Sequence, residues 1–256
     1  MSVLMNRGLP CPHCNSSDAY AEYDTNFFCF SCKKSVSKDK KSSWATKNIK
    51  QNIIDDAILK LPELEELPLH AKLYLYMYNF TNQLIQKHGI GWLSNCNIYS
   101  ERKGEIVNTG SRLILPHYRD DKLVFYEARS LDKTNKLKYI TVGSKKIGRK
   151  EIHHNNDSLV IVEDALSAIR VGEVNDCFAL LGTHLSNDLF LEIGRDCKYN
   201  KYIIWLDSDS PGQIAAHKLC RRLELLGTTV NIVTKNDPKC YSNREIKGYI
   251  DNANNQ

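Results

Sequence analysis

The chain has 256 residues, 42% apolar and 25% charged, a balance that excludes a disordered protein and leaves room for one medium domain or a few small ones. No apolar run is long enough to cross a bilayer, and the first residues, MSVLMNRGLPCPHC, lack the apolar core of a signal peptide, so no membrane association is expected and the expected location is the cytoplasm. The formal net charge of +5 is a modest lean towards nucleic acid that decides nothing alone.

Nine cysteines without a signal peptide point to a reducing compartment and metal-bound thiolates rather than disulfides. Four of them form two C-x2-C pairs, Cys11/Cys14 and Cys29/Cys32, with fourteen residues between the pairs. Each pair turns two thiolates to one side of a tight knuckle, and two knuckles close a tetrahedron around Zn²⁺. The intervening stretch reads as a hairpin: Ala19–Tyr23 out, Asp24–Asn26 turning, Phe27–Phe30 returning. So small a segment builds no sufficient core, so the metal supplies the folding energy. The zinc is structural and His13 is a knuckle residue, because four cysteines complete the shell. Tyr20, Tyr23, Phe27, Phe28 and Phe30 make the ribbon's small core; whether one of them stays exposed to stack on an unpaired base is open.

Lys33–Lys50 carries seven lysines and four serines against one acid and reads as a flexible basic linker. Beside a nucleic-acid-binding ribbon it would add salt-dependent phosphate affinity. Helical spacing follows over Ile53–Leu61, closed by Pro62, and over Leu69–His88, where Leu73, Met77 or Phe80, and Leu84 mark an apolar stripe. Tyr74, Tyr76 and Tyr78 are expected to pack. Strand signals then run over Arg112–His117, Leu123–Arg129 and Lys138–Val142, with a turn at Arg119–Asp121. This antiparallel element is expected to have one wet face. It carries Arg112, Arg129, Lys138, Lys145, Lys146, Arg149 and Lys150. Singly these are ordinary surface charges; as a group they read as a basic track for template and triphosphates.

Four short apolar runs come next: Leu159–Val162, Phe178–Leu181, Tyr202–Leu206 and Thr228–Val233. They alternate with helical segments at Ala165–Val174, Asn187–Gly194 and Gly212–Leu226. The alternation predicts an α/β parallel sheet covered on both faces, with ligands outside the carboxyl ends of its strands. Glu163, Asp207, Asp209 and Asp237 fall at that edge, while Asp164 and Ser210 read as ordinary solvated loop residues or helix N-caps. Gathered carboxylates raise one another's pKa; a divalent cation removes that cost, and oxygen ligands suit Mg²⁺ or Mn²⁺. Glu163, Asp207 and Asp209 are therefore a candidate metal site for phosphoryl chemistry. Ile250–Gln256 reads as a frayed tail.

Glu163 after one strand, Gly182 after the next and Asp207-x-Asp209 after the third resemble the Toprim domain, shared by DnaG-type primases, type IA and type II topoisomerases, OLD nucleases and RecR proteins. That family usually has Gly where Asp164 stands. The order Arg112 to Pro116, Phe125 to Arg129 and Lys138-Tyr139 resembles the N-terminal basic subdomain of the DnaG-type primase core. With the ribbon in front, the chain is most similar to the primase half of bacteriophage primase–helicase proteins. The resemblance implies that Arg112, Arg129 and Lys138 line the groove for template and nucleotides. Lys145 is carried with them, although its surroundings, GSKKIGRK, drift from the pattern. Asn236–Ser242 resembles the family's aspartate-proline-lysine-aspartate segment, which implies a further metal-linked carboxylate at Asp237, with Cys240 in place of the second acid.

The expected architecture is a small zinc-ribbon β domain at 1–35, a basic linker at 36–50, a basic antiparallel subdomain at 51–156, and a Toprim parallel sheet flanked by helices at 157–256. The expected function is a DNA primase making short RNA primers on single-stranded DNA from nucleoside triphosphates by two-metal nucleotidyl transfer. No G-x-x-x-x-G-K-[ST] motif is present, so unwinding is expected to fall to a separate replicative helicase. Two rivals stay open. The acids alone allow a Toprim-type metal-dependent nuclease, and the ribbon allows a non-catalytic adaptor that binds single-stranded DNA and recruits a helicase. A topoisomerase needs a tyrosine-bearing domain for which the chain has no room.

Overall fold

The computed structural model describes residues 4–14, 16–37, 59–100, 105–153, 156–195 and 199–256, and the chain forms two compact units, Met1–Ile58 and Leu59–Gln256. Most of the expected linker and of the expected helix at 53–61 lies outside the described residues.

In the first unit, β1 (Leu4–Leu9), β2 (Tyr20–Tyr23), β3 (Asn26–Cys29) and β4 (Ser35–Ser37) form an antiparallel sheet in chain order. The β2–β3 hairpin lies where alternation places it. Ser35–Ser37 has linker-like composition, yet it is a strand, because pairing with Asn26–Phe28 outweighs a weak local preference. Buried Cys11, Tyr20 and Cys29 pack with Leu9, Ala19, Phe27 and Cys32, and the Tyr20 ring stacks on Phe27 at 5.5 Å.

The second unit opens with α1 (Leu69–Tyr76) and α2 (Asn82–Lys87), where spacing predicts one helix. Asn79 takes a left-handed φ of 60°, and the Thr81 side chain accepts from the Leu84 amide to start a new helix. The break redirects the apolar stripe. Leu75, Phe80 and Leu84 are buried, whereas Leu73 and Met77 are 52% and 76% exposed.

Six strands follow: β5 (Gly91–Leu93), β6 (Asn97–Ser100), β7 (Glu105–Asn108), β8 (Arg112–Arg119), β9 (Lys122–Arg129) and β10 (Tyr139–Gly143). β6 and β7 pair with each other; the rest form an antiparallel sheet in the order β10-β9-β8-β5. The β8–β9 turn sets Asp120 and Asp121 at φ 48° and 58°, the left-handed pair that a two-residue hairpin matching strand twist requires. Every residue of β8 from Arg112 to His117 is buried. Leu113 and Leu115 pack with Leu75, Phe80, Leu166 and Ile169, and Ile114 packs with Cys96, Tyr126 and Ala128. The wet face expected of the antiparallel element is therefore missing over Arg112–His117, although Tyr118 beyond them is exposed.

The last part alternates β11 (Arg149–Glu151), β12 (Ser158–Val162), α3 (Ala165–Gly172), β13 (Cys177–Ala179), α4 (Asn187–Arg195), β14 (Lys201–Ile204), α5 (Ser210–Leu223), β15 (Thr228–Asn231) and α6 (Asn243–Asn254). The sheet order is β11-β13-β12-β14-β15, with β12 to β15 parallel and β11 antiparallel at the edge. Sheet bonding therefore reaches back past residue 157. Alternate residues of β12 point to opposite faces: Leu159 and Ile161 meet Leu189, Ile193 and Leu219, while Val160 and Val162 meet Ala168, Val171 and Ile250. The expected frayed tail is instead the second half of α6. A reciprocal Ser242–Glu245 capping box starts this helix, and Ile246, Ile250 and Ala253 are buried on one face.

Candidate functional site

The chain leaves β12 at the carboxyl edge of the sheet and presents Glu163 and Asp164. The Gly182 amide donates to the Glu163 carbonyl at 3.1 Å, and Gly182 has φ 146°, a backbone that favours glycine. One strand over, the parallel ladder continues past β14, with the Trp205 amide on the Ile161 carbonyl at 2.8 Å, and delivers Asp207. A Cβ on Gly212 would lie 2.4 Å from the Asp207 carbonyl oxygen, so glycine is what lets α5 start against the Asp207 loop. Asp164 caps α3 as its position implies, accepting from the Ser167 amide. At α5 the cap is Asp209 rather than Ser210, its carboxylate accepting from the Gly212 amide at 2.8 Å.

Asp164, Asp207 and Asp237 bring carboxylate oxygens within 4.8 Å of one another. Glu163 and Asp209 are not in this trio, which groups Asp207 with a residue that reads in sequence as a mere loop residue or cap. Burial pushes the Glu163 carboxyl up to about 7, and the charges of Asp207, Asp164 and Asp209 add to the rise. Burial likewise pushes Asp207 up to about 6, Lys239 opposing and the neighbouring acids reinforcing. The Asp207 Oδ1 atom is buried with no hydrogen-bond partner among the described residues. A buried orphan acceptor among mutually repelling carboxylates is the environment that a hard divalent cation satisfies, so the residues fit Mg²⁺ or Mn²⁺.

Lys239 is the residue that sequence reasoning missed; its only signal was the lysine of the aspartate-proline-lysine segment. It is buried, with Nζ 2.6 Å from Asp164 Oδ2, 2.7 Å from Asp237 Oδ2 and 5.6 Å from the centre of the Tyr78 ring. Burial alone would lower its pKa, but the two carboxylates outweigh burial and raise it, so it stays an ammonium. Burial would raise Asp164; Lys239 reverses this and holds its carboxyl below the usual range.

The basic residues separate. Arg112 is fully buried, its guanidinium donating to the carbonyls of Thr109, Ala128 and Leu137 and to the Thr109 hydroxyl. It clamps backbone and does not line a groove, because β8 is covered on both faces. Arg149 is also buried, spent on Glu151 and the Pro116 carbonyl, and Lys150 pairs with Glu192. Arg129 does approach the acids: its charge helps hold Asp164 down, and its guanidinium lies 5.1 Å from the Tyr74 ring centre and 4.7 Å from that of Tyr139. Tyr74 and Tyr78 thus hold the two cations beside the acids, beyond the packing role expected of them. Lys138 is exposed. Lys145 opens a short 3-10 turn, Lys145–Ile147, and its side chain lies outside the described residues.

In the first unit the four cysteines converge as their spacing predicts. Cys11 and Cys32 sulfurs are 3.9 Å apart and those of Cys14 and Cys29 are 3.7 Å apart. A tetrahedron with Zn–S bonds of about 2.3 Å has edges of about 3.8 Å, so the sulfurs fit zinc. Knuckle amides already point at them: His13 N–H on Cys11 and Cys32 N–H on Cys29, both at 3.4 Å. Phe30 is half-exposed and, with Arg7, Asp18 and Tyr20, lines an open cavity of about 300 Å³.

Residues 157–234 match the family model of the Toprim domain. The fold is similar to that of the zinc-binding and RNA polymerase domains of the Aquifex aeolicus primase, with TM-score 0.58 and 15% identity over 98% of this chain and 80% of that one. It is similar to the primase fragment of the bacteriophage T7 primase-helicase protein, with TM-score 0.51 and 16% identity over 98% and 99% of the two chains. A DnaG primase catalytic domain bound to single-stranded DNA matches with TM-score 0.55 and 16% identity over 72% of each chain. No curated protein sequence matches. Residues 157–234 thus match a Toprim domain, and the fold is similar to that of the zinc-binding and catalytic domains of solved primases.

Proposed function

We propose that the protein is a DNA primase that makes short RNA primers on single-stranded DNA. The observation that carries this reading is the carboxylate cluster at the Toprim sheet edge, with an orphaned oxygen on Asp207 and the Arg129 cation stacked beside it. Glu163, Asp207 and Asp209 hold Mg²⁺ or Mn²⁺, with Asp164 and Asp237 completing the acidic rim. When bound, the ion lowers the pKa of the primer 3′-hydroxyl and offsets triphosphate charge. Arg129 and Lys138 position incoming triphosphate or template backbone. Arg112 acts one step back, by fixing the strand that bears Arg129. Cys11, Cys14, Cys29 and Cys32 hold a structural zinc, and the Phe30 cavity receives an unstacked template base. Strand opening comes from outside these residues, from a replicative helicase, and the setting is the cytoplasm.

The test is incubation of the protein with labelled nucleoside triphosphates, Mg²⁺ and mixed single-stranded templates, with products read on a sequencing gel. Short ladders that vanish with a chelator and in Asp207→Asn are expected, with the variant folded. Normal primer synthesis by Asp207→Asn would overturn the metal assignment. Degraded template would replace the primase by a nuclease, and silence of both strands even with a helicase added would leave the adaptor.

A further inference from the structure

The Lys239 ammonium sits where two of the clustered carboxylates converge. Asp164 Oδ1 accepts from the Ser167 amide, and Asp164 Oδ2 accepts from the Ser167 hydroxyl and from Lys239. Both its oxygens are therefore engaged, and Lys239 also takes Asp237 Oδ2. Among the described residues, only Asp207 of the trio keeps a buried oxygen without a partner. The ammonium is itself pinned. Its residue lies in the 3-10 turn Pro238–Cys240, the Asn79 side chain donates to the carbonyls of Cys240 and Tyr241, and the Tyr78 ring lies on the ammonium.

We propose that Lys239 is a built-in cation that occupies the place of a second metal ion, so that the resting site takes one divalent ion, on the Asp207 side. The inference rests on the metal-site reading of the acids. A magnesium ion bonds oxygen at about 2.0–2.1 Å, so an ion reaching the Asp164 and Asp237 oxygens would stand almost on top of the ammonium that holds them. Two like charges so close in a half-buried cluster repel strongly, and charge-assisted bonds at 2.6 and 2.7 Å hold the lysine in place. Lys239 is thus a positioning residue: it keeps Asp164 and Asp237 out of the ion's shell and leaves a fixed positive charge beside the triphosphate.

The experiment is titration of Mn²⁺ into the zinc-loaded full chain without nucleotide, with free Mn²⁺ read by electron paramagnetic resonance. The wild type is expected to take one Mn²⁺ per chain. Lys239→Met, which keeps length and removes charge, is expected to take two, the second at least tenfold tighter than any second ion on the wild type; Lys239→Arg should keep the count at one. Two tight ions on the wild type, or an unchanged count in Lys239→Met, would overturn the proposal. Should Lys239→Met not fold, anomalous scattering from Mn²⁺-soaked wild-type crystals decides: one peak against Asp207 supports it, and a peak between Asp164 and Asp237 sinks it. No Mn²⁺ on the wild type at all would instead remove the metal reading beneath it.

Discussion

His117 shows how a single buried side chain writes a pH limit into the protein. Its ring lies 4.7 Å from that of Phe125, and burial pushes its pKa down to about 3, with Arg149 adding to the fall. Burial also pushes His88 down to about 4, where its Nδ1 faces an Arg149 nitrogen at 3.2 Å. Both folded values lie below the ordinary one, so the unfolded chain binds these protons first. Stability present above pH 6.5 is lost as pH falls towards 4, by about 1.4 kcal/mol per unit for each neutral histidine. Glu151, which Arg149 and His153 bring down to about 2 against the pull of burial, loses its contribution in the same direction at lower pH. Urea unfolding of His117→Phe is expected to show a shallower decline than wild type between pH 7 and 4; equal slopes would reject this role. At the same scale Gly212→Ala should weaken Mn²⁺ binding, because the added Cβ displaces the Asp207 loop. Glu163, Asp207 and Asp209 were legible as strand-end acids. Lys239 and Arg112 were not, because a lone basic residue carries no sign of burial; only three-dimensional packing shows whether its charge meets water, carbonyls or carboxylates.

At the scale of elements, α6 links chain punctuation to the site. Its capping box begins three residues after Lys239, and Arg170 of α3 donates to the Tyr241 carbonyl and to Asn243 Oδ1 at its start. Ser242→Ala should lower stability by about 1 kcal/mol, read as a shift in the urea midpoint. The parallel strands were readable because central strands buried on both faces are continuous apolar runs. α6 was obscured by its asparagines, although Ile246, Ile250 and Ala253 recur at helical spacing. The expected single helix at 69–88 failed for the opposite reason: its spacing continues through Asn79, and only the left-handed backbone there divides it.

For the whole molecule, the two units have different sources of stability. The Leu59–Gln256 unit has extensive cores on both faces of its parallel sheet, whereas the ribbon's buried cluster is Cys11, Tyr20 and Cys29 with a few half-buried neighbours. A chelator strong enough to strip zinc should abolish the ordered signature of the ribbon and leave the main thermal transition in place. Scanning calorimetry with and without the chelator checks this, and loss of the main transition would contradict it. The modular order was legible because cysteine spacing and strand–helix alternation are local patterns. The joining of the antiparallel sheet to α3 through Leu113, Leu115, Leu166 and Ile169 was not, since it depends on residues far apart in the chain.

Trp205 lies two residues before Asp207, fully buried, its ring 5.2 Å from Tyr249 and 5.9 Å from Tyr241, with Nε1 donating to Thr234 Oγ1 at 2.9 Å. The protein therefore contains its own fluorophore next to the acids. Paramagnetic Mn²⁺ arriving at Asp207 would quench its emission while diamagnetic Mg²⁺ would not, so ion entry could be followed in real time in a stopped-flow instrument, on the unlabelled chain.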